Sequence, residues 1–238
     1  MAVDPKPEKS RQLVRNAVAH RWESVLAAAA RANRRVDAKK NQVALTFDDG
    51  PDPRYTPQLL ESLEKAGVLG TFFWVGARAL EQPELCRLIR RAGHSVGSHS
   101  YAHFSPAGRS TEQLRSDYRS GREAVEEVIG EGAPLFRPPY GSLTLKSVRV
   151  LRQLKLVPWL WSSDSGDWRE GSTTDRLLRT LTDVVPGDVV LLHDGVADGP
   201  GASAAADRSA TIDIVEPLAK SLHRRGLTFV TLDGHRAR

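Results

Sequence analysis

The sequence predicts an α/β protein: a parallel sheet of seven strands, closed into a barrel, with helices outside it and a helical segment in front. Three observations carry that expectation. After Asn41, short apolar runs alternate with longer segments whose apolar residues recur at helical spacing, the pattern of a parallel sheet covered by helices. Seven such runs fit within about 190 residues, which suits a barrel better than an open sheet. Polar residues with chemical potential gather just past the runs, where the C-terminal ends of barrel strands share one mouth.

The elements follow in order. From about Ser10 to Val36, Leu13, Val14, Ala17, Val18, Trp22, Val25 and Leu26 recur at helical spacing with arginines between them. This predicts one long basic amphipathic helix packed on the domain surface, with peripheral membrane contact as its alternative use. Residues 1–40 are therefore set apart as an N-terminal helical extension, and 41–238 as the main domain. Strands are expected at Val43–Phe47, Thr71–Val75, Ser95–Gly97, Leu135–Arg137, Leu156–Trp161, Val189–Leu192 and Thr228–Leu232. Helices are expected at Thr56–Lys65, Pro83–Arg91, Thr111–Ile129, Leu145–Leu154, Thr174–Val184 and Thr211–Arg225. Residues 196–207, dominated by Gly, Ala and Ser, read as a loop bordering the mouth.

Composition excludes several classes. The 238 residues suffice for one large core, and 40% hydrophobic with 26% charged residues is a soluble globular composition. No apolar run is long enough to span a bilayer. The single cysteine, Cys86, excludes an intramolecular disulfide and fits a reducing compartment; its surroundings read as a buried helix face. The N-terminal stretch lacks the apolar core of a secretory signal, so the expected location is cytoplasmic. The net charge of +5 is spread along the chain without a nucleic-acid motif, so no nucleic-acid partner is expected.

The first strand runs into Thr46-Phe47-Asp48-Asp49-Gly50-Pro51. Adjacent acids at the end of a buried strand need something to offset their charge, and a metal ion does so while leaving one acid free for proton transfer. His99 and His103 lie four residues apart, a spacing that on a helical turn puts both rings on one face. With Asp48 or Asp49 they complete a two-histidine, one-carboxylate set that leaves coordination positions open. Arg137, in a proline-rich turn, is placed to hold an acid ionised through a bidentate pair. The following Pro139-Tyr140-Gly141 turn could aim a backbone N–H at an oxyanion. His193 ends a buried strand and is a general-acid candidate, with Asp164 as the carboxylate that would tune it and Trp168 as a wall for a sugar ring.

Together these stretches resemble the polysaccharide deacetylase family, the NodB homology domain of carbohydrate esterase family 4. Its motifs T-F-D-D-G-P, H-[ST]-x-x-H, R-P-P-Y-G, D-x-x-D-W and L-x-H match Thr46–Pro51, His99–His103, Arg137–Gly141, Asp164–Trp168 and Leu191–His193 in order. Within the family the chain looks closest to the chitooligosaccharide deacetylases. Trp161–Asp164, Asp167-Trp168 and Leu192–Gly195 carry that likeness, while the N-terminal helix and the loop after Gly195 depart from it. The resemblance implies a distorted (β/α) barrel of seven or eight strands and metal-dependent N-deacetylation of N-acetylglucosamine-containing glycans. It implies that Asp48 is the base, that Asp49, His99 and His103 hold the metal, and that His193 is the acid. Arg137 would orient the base, Asp164 tune the acid, Tyr140 supply the oxyanion N–H, and Trp168 and Leu191 line the pocket. The implied cofactor is one divalent ion, zinc first, with cobalt, nickel or manganese as alternatives. Competing readings are O-deacetylation of acetylated xylan or other sugar esters, action on peptidoglycan N-acetylglucosamine, a silent glycan-binding domain, and an iron oxygenase.

Overall fold

The computed structural model describes residues 22–196 and 207–233. The first half of the expected N-terminal helix and most of the Gly/Ala-rich loop lie outside the described residues.

The barrel is organised on β1 (Gln42–Asp48), whose residues alternate between two environments. Val43, Leu45 and Phe47 face outward into the large apolar cluster shared with the helices. Ala44 faces inward, into a smaller cluster with Val36, Phe73, Leu135, Trp159, Val189 and Leu232 that fills the barrel. Thr46 and Asp48 continue the inward face, so the interior turns from apolar to polar along one strand.

Around β1 lie β2 (Thr71–Trp74), β3 (Ser95–Ser98), β4 (Leu135–Phe136) and β5 (Val157–Pro158) on one side, and β7 (Val189–His193) and β6 (Ser163–Asp164) on the other. The sheet order is β5-β4-β3-β2-β1-β7-β6, all parallel, and β8 (Thr228–Phe229) pairs with the start of β1. The expected helices appear as α2 (Thr56–Ala66), α4 (Pro83–Arg91), α5 (Thr111–Ile129), α6 (Leu145–Gln153), α7 (Thr174–Thr180) and α8 (Ser209–Arg224). A short helix, α3 (Gly76–Glu81), and the two-residue β6 were not expected. Both are too short for a periodic pattern to register. The distorted barrel is the observed fold.

The N-terminal segment departs from expectation. Helix α1, described over residues 22–30, ends at Ala30 rather than running to Val36. Arg31 takes φ 53° and the chain becomes extended. Asn33 then bridges Trp159 in parallel, and Arg35 bridges Asp188 in antiparallel fashion. The Asn33 N–H donates to Pro158 O (2.9 Å), Leu160 N–H donates to Asn33 O (2.7 Å), and Val36 N–H donates to Gly187 O (2.8 Å). The physical reason is the opening between β5 and the β6–β7 side. An uncovered sheet edge leaves backbone groups without partners, and residues 33–36 satisfy them. Residues 33–36 thus hydrogen-bond to the barrel from the N-terminal side of the boundary expected at residue 40.

Candidate active site

Three sets of groups meet at the C-terminal ends of the strands. The first is built on Asp48, the last inward residue of β1. Its Oδ1 accepts from Arg137 Nη1 at 2.8 Å. Arg137 is fully buried, and its remaining donors are distributed: Nη1 also to Thr46 Oγ1 (2.7 Å), Nε to Trp159 O (3.2 Å) and Nη2 to Leu160 O (3.2 Å). Its guanidinium carbon lies 4.2 Å from the Phe73 ring centroid. The expected bidentate pair is thus a single charge-assisted bond. The Thr46 hydroxyl and two backbone carbonyls of the barrel take three of the other donors, since a buried guanidinium needs partners.

The second set is Asp49, His99 and His103. Asp49 follows directly but takes φ 74°, which turns its side chain away from that of Asp48. Its main-chain oxygen accepts from Arg78 Nη1 of α3 (2.8 Å), a residue no motif pointed to. Gly50 follows; a Cβ there would lie 2.1 Å from the Asp194 carboxylate, so only glycine fits. Asp49 Oδ1 is 3.5 Å from His99 Nε2 and 3.3 Å from His103 Nε2. The potential ligand atoms all lie within 4.8 Å of one another. The histidines sit in the loop after β3, not on a helical turn. Ser100 (φ 65°) and His103 (φ 54°) bend the loop so that the ring centroids approach to 4.9 Å.

These residues fit a divalent cation. Asp49 Oδ1 is buried, faces both imidazoles and has no hydrogen-bond partner. His99 Nδ1 donates to Arg137 O (2.8 Å), which leaves the Nε2 lone pair toward Asp49, as metal-ligating histidines are commonly oriented. Burial works against charge on His99, but Asp48 and Asp49 raise its pKa. Burial and the neighbouring His99 lower His103 to about 4. Burial raises Asp49, but His99 beside it, together with His193 and His103, holds it well below the usual carboxylate range. The pocket asks for one positive charge between acids and rings.

The third set is His193, level with Asp48 across the β1–β7 pairing. Its partner is Asp167, not the expected Asp164. His193 Nδ1–H donates to Asp167 Oδ1 (2.8 Å), and its main-chain N–H donates to Oδ2 (2.7 Å). Ser165 Oγ (3.0 Å) and Thr211 Oγ1 (2.7 Å) complete the carboxylate's partners. Asp164 pairs in register with Leu191, two residues below His193 or about 6.6 Å along the strand. It is exposed, and its Oδ1 accepts from Gly166 N–H (2.9 Å) and Trp168 Nε1–H (3.3 Å). Asp164 therefore orients the indole of Trp168, which is 49% exposed as a pocket wall requires. Burial lowers the pKa of His193, but Asp167, with help from Asp49 and Asp48, raises it to about 9.

Tyr140 takes φ 59° in the turn after Arg137, and its ring lies 4.7 Å from that of His103. Leu191 is buried on the inward face of β7, between Val189 and His193. Asp194, unmarked by sequence reasoning, is buried behind Asp49; its Oδ2 accepts from Thr56 Oγ1 (2.6 Å). Burial and the charges of Asp49 and Asp48 push it up to about 7.

Comparison with known proteins agrees with this geometry. The sequence profile described as polysaccharide deacetylase matches residues 35–159. A peptidoglycan-N-acetylglucosamine deacetylase of Bacillus cereus is 33% identical over 192 residues, 80% of this chain and 85% of its own. A chitooligosaccharide deacetylase of Azorhizobium caulinodans is 31% identical over 212 residues, 88% of this chain and 99% of its own. The crystal structure of a peptidoglycan N-acetylglucosamine deacetylase bound to a hydroxamate-type benzamide superposes with a TM-score of 0.77 at 28% identity, covering 86% of this chain and 92% of that one. With the profile over half the chain and relatives aligned over most of their length, the chain belongs to the polysaccharide deacetylase family.

Proposed function

We propose that the chain hydrolyses the N-acetyl group of N-acetylglucosamine units in an oligo- or polysaccharide, with Asp48 as base and His193 as acid. The observation that carries this reading is the flanking of the Asp49–His99–His103 group by two differently tuned partners. Asp48 is held by Arg137, and His193 by Asp167. Asp49, His99 and His103 would hold one divalent ion, with zinc proposed first for a carboxylate and two imidazoles. When bound, that ion supplies Lewis-acid polarisation of the acetyl carbonyl and acidifies the attacking water.

The chain's own residues do the rest. Asp48, oriented through Oδ1, takes the water's proton as the water adds to the carbonyl carbon. The Tyr140 N–H donates to the oxygen on which negative charge develops. His193, with Nδ1 committed to Asp167, presents Nε2 and gives its proton to the leaving nitrogen. The C–N bond then breaks to acetate and a free amine. An amide nitrogen leaves only when protonated, so an imidazolium stable to about pH 9 favours N-deacetylation over ester cleavage. Trp168 offers its exposed indole to a sugar face, and Leu191 closes the pocket beneath the acetyl methyl.

The relatives' names, a peptidoglycan-N-acetylglucosamine and a chitooligosaccharide deacetylase, share N-acetylglucosamine as the reacting unit. No helix among the described residues is long and apolar enough to cross a membrane. A cytoplasmic location, proposed from the single buried thiol Cys86, would favour oligosaccharides over assembled wall. The test is mass spectrometry of acetate release from an N-acetylglucosamine oligomer series, a peptidoglycan fragment and acetylxylan, each with defined zinc. Stepwise mass losses, each one acetyl exchanged for hydrogen, are expected from the first two substrates, and little from xylan. Turnover of acetylxylan alone would refute the N-acetyl assignment.

A further inference from the structure

The loop between the two histidines has no regular secondary structure, yet two of its residues, Ser100 and His103, take left-handed backbone angles that disfavour side chains. Something outside the loop must hold it. The main-chain groups of the loop show what does. Tyr101 and Ala102 N–H both donate to Asp117 Oδ1 of α5, at 3.2 and 2.9 Å. Ser100 O and Tyr101 O accept from Gly76 and Ala77 N–H at the start of α3, at 2.8 and 3.1 Å. His103 N–H donates to Ser100 Oγ at 3.0 Å, within the loop itself. Helix α5 also touches the loop through Gly121. A Cβ at that position would lie 2.4 Å from the Ser100 carbonyl carbon and 2.6 Å from Tyr101 N. The helix therefore rests on the loop backbone at a distance that only glycine allows.

We infer that Asp117 and Gly121 are positioning residues for the His99–His103 pair: α5 is the template that fixes the two imidazoles at the spacing a divalent cation needs. Neither residue reaches the reacting atoms, and neither belongs to a sequence motif that marks the site. Asp117 matches the backbone geometry of the loop because one carboxylate oxygen accepts two successive N–H groups, the arrangement of a backbone nest around an anion. The inference rests on the reading that Asp49, His99 and His103 hold a cation.

The experiment measures zinc affinity of the full chain, stripped with chelator and titrated against a chromophoric competitor, for the unaltered protein and for D117A, D117N and G121A. Melting of each metal-free protein is followed in parallel. D117A and G121A are expected to bind zinc about 10- to 100-fold more weakly, the usual effect of losing a group that orients ligands. D117N keeps an oxygen that accepts both N–H groups and is expected within about threefold of the unaltered protein. The metal-free melting temperatures of D117A and D117N should stay within about 5 °C of it. Zinc binding by D117A within about twofold of the unaltered protein overturns the inference, as does D117N binding as weakly as D117A. Weak binding that merely tracks a collapse of metal-free melting also overturns it. If D117A yields no folded protein, D117L, which fills a similar volume without an acceptor oxygen for Tyr101 and Ala102 N–H, carries the test with the same thresholds. Failure of the unaltered chain to bind zinc at one equivalent would sink the cation reading itself, a result distinct from all of these.

Discussion

Replacing Asp167 by Asn separates the two carboxylates that could serve His193. In the native arrangement burial opposes the imidazolium, and Asp167, 2.8 Å from Nδ1, reverses that effect to bring the pKa to about 9. Asn keeps the size and an acceptor oxygen but removes the charge. Once Asp49 is committed to a cation, Asp167 is the main negative charge acting on the ring. Without it, burial, the largest effect on the ring, is opposed chiefly by Asp48, and His193 should titrate near or below its ordinary 6.5. At pH 8 a histidine titrating at about 9 is protonated in about nine molecules of ten, and one at 6.5 in about three of a hundred. Lost protonation alone then lowers the rate at pH 8 by about thirtyfold. The assay is kcat/KM for release of acetate from an N-acetylglucosamine oligomer between pH 5.5 and 9.5. The alkaline limb should move down by about two pH units or more, with part of the rate recovered near pH 5.5. Asp164→Asn should leave the limb in place and act on KM, because Asp164 holds the Trp168 indole and not the histidine. An unmoved limb in D167N, or a shifted limb in D164N, would refute the assignment of the pair.

Four further outcomes are expected. Asp48→Asn, which removes the base and leaves Asp49, His99 and His103 in place, should keep zinc binding and lose about 10²- to 10⁴-fold in kcat, measured by single-substrate kinetics with metal content checked by elemental analysis. Chelation should abolish activity, and zinc at about a hundred times its Kd should restore it while adding about 2.7 kcal/mol of stability, a rise in Tm of about 5–10 °C by scanning calorimetry. In chelator, Asp194→Asn should stabilise the protein increasingly as pH rises from about 4 to about 7. Across that window the unfolded chain releases the Asp194 proton and the folded chain keeps it, so native stability falls with rising pH; the gain should reach on the order of 2–4 kcal/mol in urea melts. Val36→Ala should cost about 2 kcal/mol in the same melts if residues 33–36 are part of the barrel, and almost nothing if they belong to a detachable extension.

The legible part of this fold was the part that repeats or alternates. The runs around β1, β2 and β7 and the periods of α4 and α5 carry their burial pattern in sequence, and α4 and α5 appear at the expected residues. The strand ends were legible as chemistry because polar groups after buried apolar runs need partners. What was not legible depends on register and on distance along the chain. Asp164 and Asp167 are equivalent in sequence, and only the pairing of Asp164 with Leu191 shows that the first falls short of His193. The four-residue spacing of His99 and His103 is correct for two rings on one helical face. Here it is met by a bent loop whose support, Asp117, comes from the following helix. Arg78, Thr211 and Asp194 act through contacts that no local pattern announces. The expected helix to Val36 failed because tertiary pairing overrides propensity where a sheet edge is open.

That last departure bears on the chemistry. The strand that takes Asn33 as its neighbour supplies the carbonyls that hold Arg137. Pro158 O and Leu160 N–H pair with Asn33, while Trp159 O and Leu160 O accept from the guanidinium. A two-residue strand such as β5 has few hydrogen bonds of its own with which to keep those carbonyls in place. Arg137 then passes the constraint to Asp48 through a single bond, so a shift in residues 158–160 reaches that carboxylate directly. The N-terminal segment and the proposed base, Asp48, are thus two ends of one hydrogen-bonded chain. The four hydrogen bonds of the buried guanidinium tie closure of the barrel to the position of Asp48.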